Sequence, residues 1–138
     1  MELLQKGGVH VKKVLVSIKN ELLSEAVVRA LKNCGEFVPY PITPGFQAND
    51  ADCCETADAD IWLMEVSYHP GTTMGTRLEE IRRVRRCNPE CKVAVLCDDN
   101  ASPDLAHKVM QMKKDHMIDT FLYTSVTENY LMSTLAAL

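Results

Sequence analysis

Apolar residues along this chain fall into two alternating kinds of run. Some are short and continuous; others recur at helical spacing. Val14, Leu15, Val16 and Ile18 form a continuous run, the pattern of a strand buried on both faces. Asn20 is placed to cap a helix whose apolar positions Leu22, Leu23, Ala26, Val27, Ala30 and Leu31 share one stripe, with Gly35 as its stop. Glu36 to Tyr40 reads as a second strand, and Pro39 and Pro41 confine it to a sheet edge. Asp50 to Thr56 reads as a short helix, and Ile61 to Val66 as the third strand. After the loop Ser67-Tyr68-His69-Pro70-Gly71, a helix is predicted from Thr73 to Cys87. Leu78, Ile81 and Val84 line one of its faces and arginines the other, and Asn88-Pro89 ends it. Lys92 to Cys97 is the fourth strand. Ser102-Pro103-Asp104 opens a helix carrying Leu105, Ala106, Val109, Met110 and Met112. Thr120 to Tyr123 is the fifth strand, and Thr127 caps a last helix with Tyr130, Leu131, Thr134, Leu135 and Leu138 facing inward. Strands alternating with helices imply a parallel sheet with right-handed crossovers. In such a sheet ligands bind beyond the carboxyl ends of the strands, so chemistry is sought there.

Composition narrows the class. With 138 residues, 46% hydrophobic and 25% charged, the chain is an ordinary single globular domain, which excludes disorder, collagen-like repeats and a coiled-coil rod. A net charge of −4 argues against a surface that grips nucleic-acid phosphates. No run approaches the ~20 apolar residues of a membrane span. Glu2 and Lys6 interrupt the segment Met1 to Gly8, so no signal peptide is read and a cytoplasmic setting is expected. The six cysteines, Cys34, Cys53, Cys54, Cys87, Cys91 and Cys97, are then expected to be reduced. Cys87 and Cys91 have C-x3-C spacing around Pro89 with no second pair, short of a zinc set. The sequon Asn100-Ala101-Ser102 carries no meaning in such a setting.

The strand ends are Ile18-Lys19, Glu65, Cys97-Asp98 and Thr124. There the sequence resembles the receiver domains of bacterial two-component response regulators, over Lys12 to Leu138. Asp60-Ile61-Trp62-Leu63-Met64-Glu65 looks like the strand that ends in that family's phosphoacceptor aspartate, followed by the Pro70-Gly71 turn. Phe121-Leu122-Tyr123-Thr124-Ser125-Val126 looks like the fifth strand of receivers that carry a C-terminal helix-turn-helix. Val16-Ser17-Ile18-Lys19-Asn20-Glu21 sits where the acidic pair would be. The resemblance implies a three-layer α/β/α, flavodoxin-like, doubly wound sheet of five parallel strands in the order 2-1-3-4-5, with residues 1–11 as a tail and 12–138 as the domain. Any role toward DNA is implied only through an output domain absent from this sequence.

Receiver chemistry uses an aspartate nucleophile, a magnesium ion held by neighbouring carboxylates, and a hydroxyl and a lysine on the phosphoryl oxygens. The sequence departs from that pattern at every position. Ile18 and Lys19 replace the acidic pair, Glu65 the aspartate, Cys97 the hydroxyl residue, and Thr124 the lysine, with Ser125 after it in place of proline. Phe121 retains the switch aromatic, and the interval from Cys97 to Thr124 is about five residues longer than the family's usual one. Glutamate also carries its carboxylate about 1.5 Å further out, and in-line attack tolerates misplacement poorly. The expectation is a domain that is not phosphorylated here, takes no cofactor or metal, and is not an enzyme. Glu65 is either a built-in mimic of the phosphorylated state, held by Lys19 and Thr124, or a silent polar residue at a solvent-facing strand end.

Other residues carry a bland and a sharper reading. Arg82, Arg83, Arg85 and Arg86 read as a solvated face neutralised by Glu79 and Glu80, with an acidic-partner patch as the alternative. His69 beside the site is an exposed loop residue or an acid–base group; His107 and His116 have no ligand spacing. Cys97 is a buried thiol, since Asp98 and Asp99 disfavour its thiolate. Asp98 and Asp99 with Glu65 form an alternative magnesium pocket. Met110, Met112 and Met117 fill the core or offer an adaptable surface. The face of the fourth helix, fifth strand and fifth helix is the expected homodimer contact, involving Tyr130 and Leu131. The leading function is an atypical, phosphorylation-independent receiver acting through protein partners: a second copy, an output domain or a sensor kinase. The alternatives are a conventional phosphoacceptor using Glu65, Asp98 or Asp99 with magnesium, and a small-ligand-binding domain on the same scaffold. The loop Lys19-Asn20-Glu21-Leu22 has no glycine for a phosphate cradle, and no G-x-S-x-G elbow is present.

Overall fold

The computed structural model describes residues 5–6, 9–42, 50–68, 72–98 and 103–138. Five strands, β1 (Lys12–Ser17), β2 (Phe37–Ile42), β3 (Ile61–Val66), β4 (Lys92–Cys97) and β5 (Thr120–Tyr123), alternate with α1 (Glu21–Cys34), α2 (Asp50–Ala57), α3 (Met74–Cys87), α4 (Pro103–Lys114) and α5 (Glu128–Ala136). All four pairings in the sheet are parallel, in the order β2-β1-β3-β4-β5. This is the doubly wound order expected from the sequence. A separate antiparallel ladder pairs Gln5–Lys6 with Val9–His10.

The sheet is buried on both faces because its inner strands are apolar throughout. Leu15, Trp62, Met64, Val93 and Val95 pack under α2, α3 and α4 with Ala51, Ile81, Val84 and Val109. Val14, Val16, Ile61, Leu63 and Leu96 pack under α1 and α5 with Val27, Leu31, Leu131 and Leu135. Among the described residues no helix is long and apolar enough to cross a membrane.

The caps follow the sequence signals. The Asn20 side chain accepts from the Leu23 amide, Thr73 from Thr76 and Thr127 from Tyr130. Gly35 closes α1 at φ 81°. β2 continues through Pro41 to Ile42, two residues beyond the expected end. Proline lacks only the donor, and at an edge its missing N–H costs no ladder bond on the outer side. Ser102, the expected cap of α4, lies outside the described residues, as do His69, Pro70, Gly71, Asp99, Asn100 and Ala101.

The amino ends of the strands are stapled by two carboxylates. Asp60 accepts from the Lys13 amide at 2.8 Å while its own carbonyl accepts from Lys92 at 2.9 Å. Asp119 accepts from the Val93 amide at 2.7 Å and from Arg85 at 3.0 Å. Three residues of the expected apolar stripes turn out to be surface: Leu22 is 79% exposed, Met110 39% and Tyr130 60%. Met110 and Tyr130 sit at the border of the apolar stripe, where Met112 and Leu131 already fill the space beneath α4 and α5, and Leu22 sits on the first turn of α1, ahead of its buried Val27, Ala30 and Leu31.

Two glycines separate backbone strain from helix propensity. A Cβ at either Gly35 or Gly75 would meet nothing within 4 Å, so conformation alone decides. Gly35→Ala is expected to destabilise by about 1 kcal/mol. Gly75→Ala, on the exposed first turn of α3, is expected to stabilise by about 0.5 kcal/mol. Urea denaturation of both variants checks the opposite signs.

Candidate functional site

The residues singled out at the strand ends do meet, though not as the sequence suggested. Glu65 is the penultimate residue of β3 and is only 9% exposed; the expectation of a solvent-facing carboxylate is corrected. Its Oε1 accepts the Lys19 backbone amide at 2.8 Å. The contact to Lys19 is therefore made by the main chain, which presents an amide where β1 turns toward α1. Ile18 is buried among the α1 and α5 residues. Cys97 is fully buried, and its carbonyl accepts the Thr124 amide at 3.1 Å, joining the ends of β4 and β5. Phe121 is half-buried against the α2–α4 side of the core, edge-on to Tyr123 with centroids 6.0 Å apart. Asp98 is exposed. Among the described residues no three His, Cys, Asp or Glu side chains converge as a metal set.

Beneath these strand ends lies a charged cluster that the sequence reading passed over. Arg77, on the first turns of α3, is completely buried. Its Nε donates to the Glu65 carbonyl at 3.0 Å and its second guanidinium nitrogen to the Ser17 carbonyl at 2.9 Å. The remaining nitrogen donates to Asp50 Oδ2 at 2.6 Å and Glu80 Oε1 at 3.3 Å. The Ser17 hydroxyl donates to the same Asp50 oxygen, and the Asp50 amide donates to Glu80 Oε2 at 3.2 Å. One guanidinium thus binds the last residue of β1, the penultimate residue of β3, the start of α2 and the second turn of α3. Its planar fork of donors suits it to several acceptors at once. A signal was present: Arg77, Ile81 and Val84 share the apolar spacing of α3, so an arginine stood on the inward face.

The cluster carries two carboxylates against one guanidinium. Burial, followed by the neighbouring Asp50 charge, raises the Glu80 pKa to about 7, with Arg77 pulling the other way. Burial and the charges of Asp50, Asp52 and Glu80 also push the Cys53 thiol up. Asp50 Oδ1 and Trp62 Nε1 are buried without a partner among the described residues.

The basic run is corrected as well. Glu79 and Glu80 were expected to neutralise it, but Arg83 pairs with Asp52 of α2. Arg85 reaches Asp119 and the carbonyls of Met117 and Cys91. Arg82 and Arg86 are exposed. Two of the four guanidiniums therefore serve the fold.

No family model and no curated protein matches the sequence. Solved structures do match. The signal receiver domain of the response regulator NarL from Mycobacterium tuberculosis superposes with a TM-score of 0.71 at 19% identity, covering 92% of this chain and 94% of that one. The chemotaxis protein CheY4 of Vibrio cholerae gives 0.72 at 18%, covering 92% and 98%.

This chain has the receiver-domain fold.

RcsB from Salmonella enterica serovar Typhimurium, solved on the promoter rprA with the phosphomimetic BeF3−, gives 0.64 at 16%, covering 91% of this chain and 67% of that one. A receiver's divalent ion needs hard oxygen ligands. At the two acidic positions this receiver fold presents the buried apolar Ile18 and the cationic Lys19. Of the positions the resemblance singles out, Glu65 carries the carboxylate, and that carboxylate already accepts an amide. These residues do not fit a magnesium ion.

Arg77→Met, which strands Asp50 as a buried charge, is expected to cost about 3–5 kcal/mol, with part recovered in Arg77→Met/Asp50→Asn; chemical denaturation measures both. Glu80 binds its proton more tightly folded than unfolded, so the folded state holds more protons between the ordinary value of 4.5 and about 7. Its contribution is present below pH 4.5 to 5 and lost as pH rises through 7, at most about 3 kcal/mol. Melting temperatures from pH 5.5 to 8 should fall for the native chain relative to Glu80→Gln, whose curve should be flatter.

Proposed function

We propose that this chain is an atypical receiver module of two-component signalling that works without phosphorylation, through contacts with protein partners in the cytoplasm. The observation that carries the reading is the state of Glu65. It occupies the phosphoacceptor position implied by the resemblance, yet its carboxylate is engaged by the Lys19 amide and its carbonyl by Arg77. A nucleophile must be free to reach a phosphoryl donor, and the charge of the reaction must be offset by a metal or a cation beside it. Ile18 supplies neither, and Thr124 has no charge. The geometry favours a carboxylate locked in one position, closer to a permanent mimic than to a switch.

Without a switch, what remains is a surface. Tyr123 and Met110 are each 39% exposed and Tyr130 is 60% exposed; they lie on β5, α4 and α5, the face expected for self-association. Aromatic and methionine side chains of this kind are favoured at protein interfaces. On this reading a second copy docks there and sets the activity of an output domain or sensor kinase.

Incubation with acetyl phosphate and magnesium, followed by intact-mass analysis, should leave the mass unchanged. A gain of one phosphoryl group mapped to Glu65, Asp98 or Asp99 would restore the conventional phosphoacceptor. Sedimentation of the native chain should show a reversible dimer that Tyr123→Ala/Tyr130→Ala weakens at least ten-fold with unchanged circular dichroism. A chain monomeric at every concentration tested would remove this face as the self-association surface.

A further inference from the structure

Cys54 and Cys91 are both completely buried. Their sulfurs lie 3.4 Å apart although they are separated by 37 positions in sequence. Cys91 does not face Cys87, its neighbour in the C-x3-C spacing; Cys87 is exposed. Each sulfur is held by a firmly placed element. The Cys91 amide donates to the Asn88 carbonyl at 3.1 Å, and its own carbonyl accepts from Arg85 at 3.1 Å, so the turn before β4 is fixed. Cys54 lies one helical turn after Asp50 on the inner side of α2, and Asp50 is gripped by Arg77 and Ser17.

We propose that Cys54 and Cys91 form a reversible dithiol–disulfide site that ties α2 to the turn entering β4. This inference does not depend on the signalling role. The sulfurs need to close by about 1.4 Å to reach the ordinary bond length of about 2.05 Å, within reach of side-chain rotation and a small shift of an eight-residue helix. The oxidant is a low-molecular-weight disulfide such as oxidised glutathione. One cysteine, as thiolate, attacks it to form a mixed disulfide and releases one glutathione thiolate. The second cysteine, as thiolate, displaces the other. Two cysteine thiols are oxidised, one disulfide is reduced, and the two protons lost end on two molecules of glutathione. Because both sulfurs are enclosed, the first attack waits on local opening of α2. Asp50 and Cys54 are on the same helix face, so the bond pulls on the carboxylate that Arg77 holds. The redox state is thereby felt at the ends of β1 and β3.

The test uses the full chain in its native state. Exposure to excess oxidised glutathione, with removal of unreacted reagent, should give one crosslinked peptide joining Cys54 to Cys91 without a glutathione adduct on either, while exposed Cys87 takes up glutathione, with full reversal by dithiothreitol. Amide shifts of Ser17 and Asp50 should change between the two forms. Cys54→Ser and Cys91→Ser should each form no intramolecular disulfide, whereas Cys87→Ser should still form the Cys54–Cys91 bond. Where a serine variant fails to fold, the peptide map of the native chain decides alone. A chain that keeps Cys54 and Cys91 reduced, joins either to Cys53 or Cys87, or forms the bond only after unfolding in urea, overturns the proposal.

Discussion

The buried guanidinium of Arg77 is the contact on which the carboxyl end of this sheet depends. A charge enclosed in protein is tolerated only when paired and fully hydrogen-bonded, and Arg77 meets that condition by joining four elements. Two of its acceptors are carbonyls, those of Ser17 and Glu65, at the carboxyl-end turns of the two strands expected to carry receiver chemistry. Those strand ends are therefore fixed by a cation that belongs to the chain. Glu65 is held from both sides, through its carbonyl by Arg77 and its carboxylate by Lys19. Relaxing one contact leaves the other in place.

The opposite end of the sheet obeys the same logic with the charges reversed. Asp60 and Asp119 accept strand amides there, and Arg85 covers Asp119. Both rims of the sheet are thus closed by side chains aimed at main-chain groups that parallel pairing leaves over. What distinguishes the carboxyl rim is burial: Arg77 and Asp50 are enclosed there and Glu80 nearly so, whereas Arg85 and Asp119 are partly exposed. That burial, with the Asp50 charge beside it, raises the Glu80 pKa to about 7, so its protonation responds near neutral pH. On the account proposed here, this receiver fold has lost its phosphoryl chemistry and offers partners a rigid body.

The fold was legible because its signals are local and agree with one another. Continuous apolar runs marked the strands, Asn20, Thr73 and Thr127 marked helix starts, and Gly35 marked a stop. The site was legible in position but not in contact. Glu65, Cys97 and Thr124 could be placed at strand ends by counting. Nothing in the spacing said that Lys19 would use its amide and not its ammonium. Arg77 was missed because charge was taken as a mark of the surface, although it occupies the apolar phase of Ile81 and Val84. Its acceptor Asp50 lies 27 positions away, and such pairing has no local signature. Met110 and Tyr130 failed for a related reason: the edge of an apolar stripe belongs to core or surface according to what packs beside it.

The most direct measurement is a titration of the native chain with magnesium and beryllofluoride, following backbone amide shifts. If Arg77 and Lys19 hold the strand ends as described, the amides of Lys19, Glu65, Cys97 and Thr124 stay unmoved at millimolar ligand. Saturable shifts at those residues would show that the carboxylate leaves its amide to take up a metal and a phosphoryl mimic, and that the site is a working phosphoacceptor.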